Sequence, residues 1–236
     1  MANTYTAQWF DIFLRSFPDG QTEREAAFLA RQLPNPPYRT VVDLCCGFGR
    51  HAQALAAYGY TMIGVDRDAA ALAEARRRSP PNVTYVEQDM RRFDELPVQA
   101  DAVICMWQSF GYFDDATNAD ILAQISRRLP PHGRLILDVN NRAFFEQLPP
   151  TRTIERNGAT MIERTTWQGV RARVTLRYEG TDTIDTFDWQ LYTPEELCVL
   201  ASAYQLRPLV QCANYDEAQP PLPSLSRMQI VFEKAA

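Results

Sequence analysis

The chain has 236 residues, 46% of them hydrophobic and 22% charged, with a formal net charge of −5; this is ordinary usage for one globular domain with a substantial core. No run of about 18 apolar residues could cross a membrane, and Met1-Ala2-Asn3-Thr4-Tyr5 lacks the basic and apolar regions of a secretory signal, so a cytoplasmic location is expected. An acidic chain whose one lysine is Lys234 argues against nucleic-acid binding, and five cysteines without a Cys-x-x-Cys pair indicate neither a metal site nor a disulfide framework.

In chain order, an aromatic cluster comes first: Tyr5, Trp9, Phe10, Phe13 and Phe17. A helix over 23–33 follows, with Ala26, Leu29, Ala30 and Leu33 on one face. Five short apolar runs then recur at roughly 20-residue spacing, at 41–45, 62–65, 83–86, 102–105 and 135–137. They are β-branched and apolar on both faces, as parallel strands buried between helix layers are. Helical patterns separate them. One runs over 50–58 and stops at Gly59. A second runs over 69–78 behind the N-cap Asp68 and ahead of Pro80-Pro81, with Arg76-Arg77-Arg78 complementing its dipole. A third, over 116–129, follows Asp114-Asp115 and ends at Pro130-Pro131. This alternation predicts an α/β fold with helices on both faces of a mostly parallel sheet. Segments 160–166 and 174–178 alternate in the strand manner and predict a small antiparallel insertion within 151–190. Thr193-Pro194-Glu195-Glu196 then opens a helix through a capping box. Two last strands, near 209–213 and 228–233, flank a proline-rich loop at 219–223.

The first strand runs into Asp43-Leu44-Cys45-Cys46-Gly47-Phe48-Gly49-Arg50-His51. Strand, glycine-rich turn and helix start form a backbone cradle; Gly47 and Gly49 allow positive φ and close approach of a ligand. Asp66 ends the second strand, where a carboxylate can accept from both ribose hydroxyls. Asp89-Met90 ends the third, where an acid can accept from an adenine amino group. All three acids lie at the strand edge where open α/β sheets bind ligands. The competing reading is that each merely caps the following helix.

The segment 43–51 resembles motif I of class I S-adenosylmethionine-dependent methyltransferases, with Cys45-Cys46 where many members have a glycine and a cysteine. Gly64-Val65-Asp66-Arg67 resembles the ribose motif and Glu87-Gln88-Asp89-Met90 the adenine motif. Ser109-Phe110-Gly111-Tyr112-Phe113, Thr22-Glu23-Arg24-Glu25, Leu191-Tyr192-Thr193-Pro194-Glu195 and Ser226-Arg227 resemble stretches of a bacterial small-molecule branch, of the methyltransferase domain type 11/25. The resemblance implies a Rossmann-like doubly wound sheet of seven strands and S-adenosylmethionine as cofactor, with S-adenosylhomocysteine as product. It implies that Asp43, Cys45, Gly47 and Gly49 hold the methionine portion, Asp66 the ribose, Arg67, Asp89 and Met90 the adenine, and Met106 the methionine end. Trp9 and Phe10 would belong to a water-excluding lid. One domain is expected in four parts: a helical lid (1–38), a cofactor core (39–150), the antiparallel cover of the substrate (151–190), and a terminal helix with two strands (191–236).

In-line transfer from a sulfonium needs alignment and desolvation more than a base. Tyr112, Tyr215 and Arg227 are candidates to reach the acceptor, and Asn140 with Asn141 could orient it or form a turn. His51, in the glycine-turn helix, reads as structural and His132 as exposed. Asn35-Pro36-Pro37-Tyr38 matches a motif of amino methyltransferases but precedes the first strand, so it reads as a linker. The expected partner is a small-molecule acceptor methylated on N or O, the chain being a monomer or homodimer. Two other readings stand beside this: a non-catalytic binder of the same cofactor, and an NAD-dependent oxidoreductase, since Gly47-x-Gly49-x-x-Ala52 fits the relaxed dinucleotide fingerprint.

Overall fold

The computed structural model describes residue 3, residues 5–13 and residues 18–236; Phe17 of the aromatic cluster and Met1, Ala2 and Thr4 of the N-terminal reading lie outside the described residues. The first half runs α1 (Ala7–Phe13), α2 (Gln21–Gln32), β1 (Thr40–Leu44), α3 (Arg50–Ala57), β2 (Thr61–Asp66), α4 (Ala69–Arg78), β3 (Val83–Glu87), a 3₁₀ turn (Met90–Glu95), β4 (Ala102–Cys105), α5 (Asp115–Arg128) and β5 (Arg134–Asn140). The second half runs α6 (Arg142–Phe145), β6 (Thr151–Arg156), β7 (Ala159–Gln168), β8 (Arg171–Tyr178), β9 (Ile184–Gln190), α7 (Pro194–Ser202), β10 (Leu206–Cys212) and β11 (Arg227–Lys234). The helices and strands expected with bounds are present, most of them extended or shifted by one to three residues; the 3₁₀ turn, α6, and α1, β6 and β9, which had no bounds of their own, are additions.

Seven strands form one sheet in the order β10-β11-β5-β4-β1-β2-β3, parallel except where β11 pairs with β5 and with β10. The strand period of two decides how the layers pack. Val42, Val103, Leu135 and Leu137 face the layer that holds α5 and α7. Val41, Ile104 and Ile136 face the layer of α2 and α3, where Phe28, Leu29 and Leu55 are fully buried. Both faces are therefore apolar, which is why these strands read as unbroken hydrophobic runs. On α2 the buried face includes Glu25 and Phe28 as well as Ala26 and Leu29, while Ala30 is only partly buried, so the face is turned from the expected one.

The insertion is a four-stranded antiparallel sheet, β6-β7-β8-β9. Along β8, Ala172, Val174, Leu176 and Tyr178 are buried and form one core with Phe187 of β9 and Ile12 of α1. The N-terminal segment is tied to this sheet by polar bonds as well. Asp185 accepts from Thr6 N at 2.9 Å, Thr6 Oγ1 at 2.7 Å and Tyr178 Oη at 2.7 Å. Asn3 exchanges two hydrogen bonds with the Asp188 backbone, at 2.9 and 3.1 Å.

The capping box of α7 is present: Thr193 accepts from Glu196 N, and the Glu196 carboxylate accepts from Thr193 N at 2.9 Å. Thr193→Ala removes one side of it and is expected to lower stability by about 1 kcal/mol, read as a shifted urea midpoint with unchanged m-value.

Candidate functional site

A cavity of about 560 Å³ opens at the C-terminal edge of β1, β2 and β4, roofed by the N-terminal segment. Its floor is the turn after β1. Cys45, Gly47 and Gly49 all have positive φ, at 63°, 53° and 75°. Cys46 N donates to Val65 O at 3.0 Å and Gly49 N to Cys46 O at 2.9 Å, which fixes the turn. A Cβ on Gly47 would meet nothing within 4 Å, whereas one on Gly49 would lie 2.1 Å from Tyr85 Oη. Gly47 and Cys45 therefore face the cavity, and Gly49 packs behind it as the N-cap of α3.

The three predicted acids differ in place. Asp66 lines the cavity and accepts from Gly47 N at 2.8 Å and Asp68 N at 2.9 Å. Burial raises its pKa, and those backbone donors oppose the rise. Asp89 also lines the cavity, but it caps the 3₁₀ turn and is held by Arg91, through Nε at 2.9 Å and Nη2 at 2.6 Å. That guanidinium keeps its carboxyl below the ordinary value. Asp43 stands behind the lining, 1% exposed, and its Oδ2 has no hydrogen-bond partner. Met90 and Met106 are buried and line the cavity, with Cys45 Sγ 3.5 Å from Met90 Sδ.

The roof is aromatic. Trp9 and Phe10 line the cavity, and Tyr5 stacks on Phe187 with ring centroids 4.9 Å apart. Tyr5 donates to Tyr112 Oη at 2.6 Å; burial raises both phenols, Tyr5 to about 12 and Tyr112 well above its ordinary value. Arg67 Nη2 bonds Asn3 O at 2.7 Å, so one lining residue fastens the segment above it. This contact was not legible in the sequence, which placed Arg67 beside a ligand.

Four of the five acceptor candidates lie elsewhere. Tyr112 lines the cavity; Tyr215, Arg227 and Asn140 are not among its lining residues. Tyr215 is buried against Phe28, and its hydroxyl meets Asp138 Oδ2 at 3.2 Å. Arg227 forms an ion pair with the same carboxylate, its guanidinium 4.6 Å from the Trp107 ring centroid. Asn140 ends β5 inside the sheet, opposite Arg227. Asn141 caps α6 and bonds Leu222 O at 3.0 Å, the turn-forming role. Tyr215 and Arg227 are drawn inward because Asp138, fully buried on β5, needs donors. It accepts from Gln229 Nε2 at 2.8 Å and Trp107 N at 2.9 Å as well.

A second buried carboxylate, Glu25 of α2, was missed. It takes hydrogen bonds from Gln21 Nε2 at 3.0 Å and Trp107 Nε1 at 2.9 Å, pairs with Arg50, and meets His51 Nε2 at 2.8 Å. Burial alone would raise Glu25, yet His51 and Arg50 hold it well below the carboxylate range. Burial, reinforced by Arg50, lowers His51 to about 4. The available signal was a lone carboxylate four residues before Leu29 on the apolar side of a helix. His132 is exposed, as expected, and Asn35 bonds Gly59 O at 3.2 Å, at the sheet edge away from the cavity.

Residues 41–133 match the family model of the methyltransferase domain. The dTDP-3-amino-3,6-dideoxy-α-D-glucopyranose N,N-dimethyltransferase of Streptomyces fradiae is 31% identical over 164 residues, 66% of this chain and 63% of that protein. The CcbJ methyltransferase of Streptomyces caelestis superposes with a TM-score of 0.80 at 21% identity, covering 98% and 96% of the two chains. CalS10, an amino pentose methyltransferase of Micromonospora echinaspora bound to S-adenosylmethionine, gives 0.70 at 23% identity over both whole chains. The chain carries a methyltransferase domain and has the fold of the class I S-adenosylmethionine-dependent methyltransferases, and it spans less than two thirds of the length of the curated relatives it matches. The resemblance read from its motifs is thereby borne out, and so is the seven-stranded sheet with its antiparallel insertion.

The residues around the cavity fit S-adenosylmethionine. Asp66 keeps lone pairs on both oxygens beyond the two backbone donors, as a ribose diol requires. The open side of Gly47 admits a ligand against the backbone. The bare buried oxygen of Asp43 suits a cationic ligand beside the turn.

Burial pushes the Asp43 carboxyl up to about 7, with Arg50 opposing. A raised carboxyl binds a proton in the folded chain that the unfolded chain releases. Stability is therefore fully present at low pH and is lost as pH rises from about 4 towards 7. Asp43→Asn removes that loss. Its stability relative to the wild type is expected to increase between about pH 5 and about pH 8 by a few kcal/mol, on the order of the linkage limit, in urea titrations at both pH values. A constant difference would contradict the assignment.

Proposed function

We propose that this chain transfers the methyl group of S-adenosylmethionine to a nitrogen of a small-molecule acceptor of the amino-sugar kind. One juxtaposition carries the reading: the glycine turn, Asp66 and Asp89 converge on a single cavity that an aromatic roof covers. Asp66 would hold the ribose, and Asp89 with Met90 the adenine edge; Asp43 and the turn would hold the methionine portion, next to Met106. The bound cofactor supplies an already activated methyl group. The chain's task is then to align the acceptor in line and exclude water. Trp9, Phe10 and Tyr112 suit that task, since they are aromatic, line the cavity and are locked to the insertion through Tyr5. The roof segment with Tyr5, Trp9 and Phe10 acts as the lid and 151–190 as the cover of the acceptor, whereas α2, within the expected lid 1–38, packs on the large sheet. The nitrogen acceptor is supported by the Streptomyces fradiae relative and the amino pentose methyltransferase, both named for amino-sugar substrates.

The nicotinamide reading has less support. The family model that matches and the Streptomyces fradiae relative are both of methyltransferases. The test of the proposal is release of S-adenosylhomocysteine from S-adenosylmethionine with amino sugars, simple amines and the matching hydroxy sugars as acceptors. Turnover with the amino sugars is expected. Turnover confined to hydroxyl or carboxylate acceptors would overturn the nitrogen assignment, and no turnover with any of them would favour a non-catalytic binder.

A further inference from the structure

One buried titratable group at the cavity is not used by the reading above. His51 lies in the first turn of α3, and its side chain is 5% exposed. His51 lines the cavity beside Arg50 and Trp107. Its Nε2 is engaged at 2.8 Å by Glu25, a carboxylate that is itself fully buried. Among the described residues no group bonds the other ring nitrogen, and Nδ1 is not one of the fully enclosed atoms left without a partner. An ionised Glu25 can only accept, so the hydrogen of the neutral ring sits on Nε2 and Nδ1 carries a lone pair. Glu25 is fixed in turn from three sides, by Trp107 Nε1 at 2.9 Å, Gln21 Nε2 at 3.0 Å and the Arg50 ion pair. The ring therefore has one tautomer and one orientation.

We infer that His51 is the residue that orients the methyl acceptor, its Nδ1 accepting a hydrogen bond from an N–H or O–H of that molecule at the Trp107 end of the cavity. This rests on the methyltransferase reading and adds to it a requirement on the acceptor: a hydrogen-bond donor adjoining the atom that is methylated, or on that atom itself. A nitrogen acceptor held by its N–H keeps its lone pair directed away from the ring and available for attack. No proton need be transferred to His51. The charged groups around it are Glu25 from α2, Arg50 from α3 and Arg227 from β11; burial and Arg50 lower its pKa to about 4, which keeps Nδ1 a lone-pair acceptor throughout the neutral range.

The chain has two histidines, His51 and His132, so imidazole 15N resonances can be assigned with one His132→Gln variant. The expected spectrum shows His51 with a protonated Nε2 and a bare Nδ1 from about pH 5.5 to 8, unchanged when S-adenosylhomocysteine saturates the site. A protonated Nδ1, or one whose resonance moves to a hydrogen-bonded position on adding S-adenosylhomocysteine alone, overturns the inference, because the nitrogen is then not left for the acceptor. Kinetics supply the second readout, with the best amino-sugar acceptor of the screen. His51→Leu is expected to raise its KM about tenfold, the loss of one hydrogen bond, with the Kd for S-adenosylhomocysteine unchanged. His51→Asn, whose amide oxygen can stand near the place of Nδ1, is expected to restore part of it. An unchanged KM in His51→Leu overturns the inference. Failure to bind S-adenosylhomocysteine in the wild type would instead overturn the methyltransferase reading on which it rests.

Discussion

Asp66→Ala is expected to weaken binding of S-adenosylhomocysteine by about 100-fold or more, while the chain stays folded. The side chain sits at the end of β2 with backbone donors at 2.8 and 2.9 Å, so it is oriented before any ligand arrives. A hydrogen bond to a charged acceptor contributes about 1.5–3 kcal/mol, and a ribose diol would make two. Alanine also releases Gly47 N, which loosens the turn on the cavity floor. The fold should survive because the carboxylate lies at the rim of the sheet, outside the apolar layers. Asp66→Asn retains size and one acceptor oxygen and should lose less, roughly tenfold, since the amide cannot accept at both positions. Calorimetric Kd values for the three proteins, beside their urea midpoints, separate a lost ligand contact from a lost fold. Equal affinity in all three would mean that Asp66 only braces the turn.

Gly49→Ala should have the second large effect, and through a different route. The backbone there is left-handed, at φ +75°, where a side chain costs about 1 kcal/mol. The larger obstacle is Tyr85, whose hydroxyl lies 2.1 Å from the new Cβ. Tyr85 is not free to swing away, because its hydroxyl is bonded to Ser79 Oγ at 2.7 Å. Overpacking of this kind costs roughly 1–3 kcal/mol further, so the variant is expected to lose about 2–4 kcal/mol and with it the geometry of the turn. Adding Tyr85→Phe removes the nearest atom but leaves the ring carbon at 2.9 Å, so it should recover part of the loss. Full stability in the single variant would show that β3 moves more easily than its packing suggests.

The fold was legible because its signals are local. Asp68, Asp114 and Thr193 cap the helices assigned to them through their own side chains. The strands of the large sheet, apolar on both faces, announce two helix layers. What was not legible depends on contacts across long sequence separations. Tyr215 and Arg227 have the chemistry of an acceptor site, but they turn inward because Asp138, 77 and 89 residues away, is buried between them. Glu25 gave a weak sign, a carboxylate on a half-apolar helix face, yet its partners Trp107 and His51 come from the turn after β4 and from α3 only after folding. Asp43, Asp66 and Asp89 look alike in sequence. Their differences lie in what they meet: an empty buried oxygen, two backbone donors and an arginine. Tyr5 counted only as one ring of an aromatic cluster, whereas its hydroxyl ties the roof to Tyr112.

The measurement that bears most directly on the central claim is calorimetric titration of the purified chain with S-adenosylhomocysteine and, separately, with NADH. The account predicts a one-site isotherm in the micromolar range for the adenosyl ligand and no heat with NADH. Binding of NADH alone would return the chain to the oxidoreductase reading. Binding of neither would mean that the glycine turn and its carboxylates serve only the fold, and would contradict the account.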